Sequence, residues 1–77
     1  MPIIYEAKAS NHGPQIRVDC RSCPKVDGAT YLIYTHHSVR NVDLDWAIGH
    51  AEFHEEHYPD HLVVIALIYP LDGNFKA

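Results

Sequence analysis

Hydrophobic positions follow different patterns along this chain, and each pattern predicts an element. Apolar and polar residues alternate in Gln15-Ile16-Arg17-Val18-Asp19, and Ile3-Ile4-Tyr5-Glu6-Ala7 has extended character. Both stretches predict short strands, over 3–7 and 15–19. The run 29–35 is rich in β-branched and aromatic residues, Tyr31, Ile33 and Tyr34 among them, and predicts a third strand. Leu62 to Tyr69 is apolar at every position, so a strand over 61–69 needs cover on both faces. Between the last two lies a stretch with helical character. Asp43 can cap it, Asp45 suits the first turn, and Pro59 forces it to stop, which predicts a helix over 44–57.

Turn residues punctuate these elements. Asn11-His12-Gly13-Pro14 separates the first two strands, and Lys25-Val26-Asp27-Gly28 leads into the third. The second and third strands therefore form a hairpin with Cys20 and Cys23 at its turn end. Gly49 inside the helix costs about 1 kcal/mol relative to alanine and marks either a close backbone approach or a tolerated blemish. Residues 70–77 read as a loose tail. The whole chain, 1–77, is one α+β domain in which an antiparallel sheet packs on one helix.

Length sets the next constraint. A chain of 77 residues buries only about 60% of its unfolded surface, and domains this small usually need a staple. With two cysteines a disulfide scaffold has little to work with, and no apolar run approaches the about 20 residues of a membrane-spanning helix. No secretory leader pattern opens the sequence, which makes a cytoplasmic location the expectation.

Seven histidines supply the chemistry for a staple. At roughly 100° per residue, His54 sits about 40° from His50, and His57 about 20° to the other side. Trp46, Ala47 and Phe53 share this arc, so the histidine face is expected to point inward. Ile48, Glu52, Glu55 and Glu56 then lie on the wet side. Structural zinc takes four nitrogen and sulfur ligands, and Cys-x2-Cys lets two thiolates reach it from one knuckle. The expected ligands are Cys20, Cys23, His50 and His54, with His57 and His61 as alternates. His36 and His37, at a strand end, read as loop residues.

The order Cys-x2-Cys, strand, helix, His-x3-His, carried by Cys20, Cys23, His50 and His54, resembles the ββα zinc fingers of the Cys2His2 type over residues 15–58. Residues 24–49 separate the two pairs here, against about 12 to 15 in the usual pattern. That enlarged gap is similar to small orphan Cys/His proteins of actinobacterial phages and mobile elements. It also removes the register in which finger helices face DNA bases, so no base-reading residue carries over.

Catalytic patterns are poorly matched. His50-Ala51-Glu52 has the His-x-Glu of zinc deaminases, but the order relative to the Cys pair is reversed and Glu52 lies across the helix. His54-Glu55-Glu56-His57 is one residue short of the zinc-protease motif. No catalytic residue is assigned. The expected function is a non-enzymatic, zinc-stabilised protein-interaction module, as a phage or mobile-element protein acting on a host protein would be. Residues 61–69 need cover on a second face, from the N-terminal segment or from another copy of the chain, and a homodimer is the expectation. The alternative is a small DNA- or RNA-binding regulator using Arg17, Arg21, Lys25 and Arg40. A net charge of −4 weighs against it, because phosphate contacts dominate nucleic-acid affinity.

Overall fold

A computed structural model describes residues 3–71. Four strands and one helix follow in the order β1 (Ile4–Ser10), β2 (Gln15–Cys20), β3 (Tyr31–His36), α1 (Asn41–His57) and β4 (Val63–Pro70). Within the expected tail, Pro70 closes β4 and Leu71 is a turn; residues 72–77 lie outside the described residues.

The strands lie in the order β1-β4-β2-β3. β2 is antiparallel to both β3 and β4, whereas β1 is parallel to β4, so the sheet is mixed and not antiparallel throughout. Hydrophobicity explains the arrangement. A strand apolar on both faces belongs in the interior of a sheet, and β4 occupies that place. β1 and β2 run in opposite directions across the turn that joins them. A strand inserted between them antiparallel to β2 must then be parallel to β1.

The connection from β1 to β2 consequently passes over the end of β4. Gly13 is the residue at the crossing: a Cβ built there would sit 2.5 Å from the Tyr69 carbonyl carbon and 2.7 Å from the Pro70 nitrogen. The other turn is a two-residue reversal. Asp27 (φ 52°) and Gly28 (φ 79°) are both left-handed, and Val26 and Ala29 exchange two backbone hydrogen bonds of 3.0 Å.

One face of the sheet packs on α1. Ile16 and Val18 of β2 and Val63 and Ile65 of β4 meet Ala47 and Ala51 of the helix. The small alanines let the helix approach closely, and each large buried aliphatic side chain contributes about 1.5–3 kcal/mol. On the opposite face Val64, Ala66 and Ile68 are also buried. Long polar side chains of the neighbouring strands, Glu6, Lys8 and Arg17 among them, line that face beside Ala66 and Ile68. The second face of β4 is thus covered within the chain. Of the two sources of cover expected, the N-terminal segment and a second copy, side chains of the N-terminal strand β1 lie on that face together with those of β2.

The helix begins at Asn41, earlier than expected, with Arg40 in the N-cap position. Asp43 is a buried first-turn residue instead of the cap. Its carboxylate accepts from Arg40 Nε at 3.0 Å and stands 3.3 Å from His36 Nε2. The buried side of α1 carries Asp43, Ala47 and Ala51, with Leu44 and Ile48 packed beside them. Trp46 and Phe53, expected to face inward, are 64% and 63% exposed. Ile48, expected to be wet, packs against the core. Nothing lies within 4 Å of where a Gly49 Cβ would be, so no backbone approaches it.

Candidate metal centre

The sheet register carries the Cys-x2-Cys knuckle to the helix. Side chains alternate along β2, and Ile16, Val18 and Cys20 form its buried set. Cys20 therefore points to the helix side at the very end of the strand. Three residues later Cys23 closes the knuckle. Leu62 straps this turn down: Arg21 N–H donates to the Leu62 carbonyl at 2.9 Å, and Leu62 N–H donates to Ser22 Oγ at 2.9 Å.

The same register explains the fourth donor. Cys20 pairs with Val63, and the helix-facing positions of β4 are Val63 and Ile65. Continuing that alternation backwards puts His61 on the helix side, level with the knuckle. On the other flank, α1 ends at His57 because Pro59 forbids another turn, with Tyr58 N–H closing onto the His54 carbonyl at 2.9 Å. His54 lies in that last turn, on the arc next to Ala51, and so reaches the same point.

Cys20, Cys23, His54 and His61 are brought together, each offering one donor atom, all within 4.8 Å of one another. His61 Nδ1 lies 3.3 Å from Cys20 Sγ and 3.4 Å from Cys23 Sγ, and Cys23 Sγ lies 3.6 Å from His54 Nε2. For a regular tetrahedron with Zn–S about 2.3 Å and Zn–N about 2.05 Å, the S···N edge is about 3.6 Å. These three sulfur–nitrogen separations lie within about 0.3 Å of that edge. Chemistry agrees with geometry, since two thiolates and two neutral imidazoles exactly balance a divalent charge, and Cys20 is fully buried.

Of the expected ligands, Cys20, Cys23 and His54 are in this cluster and His50 is not. Its ring instead stacks on Tyr34, with centroids 4.5 Å apart and planes 16° from parallel. The place expected of His50 is taken by His61, one of the two alternates. The other, His57, is turned back onto its own helix, with Nδ1 2.9 Å from the Phe53 carbonyl oxygen.

Aromatic rings close in on the two histidines. Tyr58 stacks on His61 at 4.9 Å and lies 5.0 Å from His54, while Tyr31 stands 6.3 Å from His54. Burial lowers the basicity of His54, and the nearby His61 and His57 lower it further. Both effects favour the neutral imidazole that a metal needs. Burial raises the Cys23 thiol, and its hydrogen bond with Cys20 and the Cys20 charge add to that. A cation between the sulfurs reverses this effect, releasing protons as it binds. The site can hold one metal ion such as zinc.

Among the described residues no helix is long and apolar enough to cross a membrane. Comparison of the chain with protein-family models, with curated proteins and with solved structures finds no match.

Proposed function

We propose that this chain is a non-enzymatic protein-interaction module whose fold is completed by a structural zinc ion on Cys20, Cys23, His54 and His61. The observation that carries the reading is the closed four-donor cluster. Its donors come from the end of a strand, a knuckle, the last turn of a helix and the lead into another strand. One ion there joins the knuckle to donors 31 to 41 residues further along the chain. Catalytic zinc keeps a coordination position for water, whereas four protein donors fill the shell.

The nucleic-acid alternative draws less support from the surface. Arg21 is 3.1 Å from Glu6, Arg17 is 3.5 Å from Asp19, and Arg40 is paired with buried Asp43. Three of the four basic residues that would make a phosphate-binding patch thus have carboxylate partners of their own.

Zinc analysis of the purified, untagged protein tests the proposal. One zinc per chain, with loss of structure on chelation and recovery on re-addition, is expected. A well-folded protein that contains no zinc and ignores chelator refutes it.

A further inference from the structure

The outward side of α1 presents a stripe that the fold does not use. Val42, Trp46 and Phe53 are 52%, 64% and 63% exposed, with Gly49 between them. Together with His50 they line a shallow groove of about 570 Å³ along the helix. Large exposed aromatics on a small monomer are costly unless they are used, and tryptophan is the residue type most enriched at the energetic centres of interfaces.

Spacing identifies the shape of the occupant. Positions 42, 46, 49 and 53 recur at four, three and four residues, the seam along which one helix packs on another. Gly49 sits in the middle of the seam with open space above it, so a second helix can come close.

Charge identifies its chemistry. α1 carries Asp43, Asp45, Glu52, Glu55 and Glu56 and no lysine or arginine. Asp45, Glu52 and Glu56 lie along one flank of the stripe, exposed, and among the described residues no ion pair engages them. A second copy of the chain fits badly: it brings another net −4, and antiparallel pairing about a two-fold axis sets acidic flank against acidic flank. We propose that this face of α1 is the docking site for a basic amphipathic helix of a partner protein. The inference rests on the interaction-module reading and names the surface and partner chemistry it lacked.

Three synthetic peptides of equal length test it: one with a leucine seam flanked by lysines, one with the same seam flanked by glutamates, and a scramble of the lysine peptide that destroys its amphipathic pattern. Each is titrated into the full chain, with zinc content and amide NMR spectrum recorded on the same sample. Trp46, the chain's one tryptophan, reports occupancy by fluorescence. The lysine peptide is expected to bind at least about tenfold tighter than either control, more weakly as salt rises. Phe53→Asp abolishes that binding. Reversing the flank with Asp45→Lys, Glu52→Lys and Glu56→Lys switches the preference to the glutamate peptide. These positions are exposed, so the variants keep their amide spectra.

Equal binding of the scramble, equal binding of the glutamate peptide, no binding by the folded zinc-loaded protein, or self-association that buries Trp46 would each overturn the proposal. None of these outcomes touches the zinc reading. That fails separately, if the sample is folded and zinc-free.

Discussion

Zinc affinity in such a centre divides among four side chains that can be removed one at a time. Structural zinc contributes roughly 10–16 kcal/mol in small domains, so each ligand carries about 3 kcal/mol, or about a hundredfold in affinity. Cys20→Ser, Cys23→Ser, His54→Ala and His61→Ala should each weaken zinc binding by about that factor in a competition titration. His50→Ala should leave the affinity within about twofold while losing the ring stacked on Tyr34. The opposite result for His50 and His61 would mean that the knuckle meets a different helix turn. Asp43 is a second residue with a defined role. Ser38 and Arg40 hold its carboxyl below the ordinary range. A depressed carboxyl stabilises the fold fully above its unfolded value, and the contribution is lost only as pH falls through the lower folded value. Asp43→Asn should therefore lower stability in urea denaturation of the zinc-loaded protein, by an amount no smaller at pH 5 than at pH 8. Cys20, Cys23 and His54 were legible in the sequence because knuckle spacing and helix periodicity are local. The choice of His61 over His50 was not, since it depends on where the chain re-enters the sheet. Trp46 and Phe53 misled for a related reason: apolar side chains spread round α1, and small Ala47 and Ala51, not the aromatics, mark its buried side.

Two glycines separate what an element requires of its neighbours from what it requires of itself. Gly13→Ala forces a Cβ against the backbone of β4, where no side chain can yield, and should cost about 1–3 kcal/mol. Gly49→Ala meets open space on an exposed helix face and should add up to about 1 kcal/mol through helix propensity. Thermal unfolding of the two variants should thus move in opposite directions; a shift of the same sign would show that one of these backbone environments is misjudged. Four strands and a helix were readable from periodicity and turn chemistry, as was a turn at Asp27-Gly28, whose left-handed geometry the structure adds. Strand order was not readable in full. Alternation tells which residues share a face, but not which strand is its neighbour, and so the parallel pairing of β1 with β4 emerged only from the assembled sheet. The two-sided apolar character of β4 was the one clue, since it demanded an interior position.

For the molecule as a whole, the proposed zinc ion would decide whether the small core suffices. A domain's net stability is about 5–15 kcal/mol, the same size as the binding energy of a structural zinc, so its removal leaves little or nothing. The core of α1 against β2 and β4 is six buried residues with partly buried neighbours, and two hydrogen bonds to Leu62 tie the knuckle down beside it. The most direct check is native mass spectrometry of the untagged protein and its His61→Ala variant. The account predicts one zinc ion on the folded wild-type chain, with two protons displaced, and a variant that gives up its zinc to about a hundredfold less competing chelator. A compact, metal-free wild type, or a variant that holds zinc as tightly as the wild type, would contradict it.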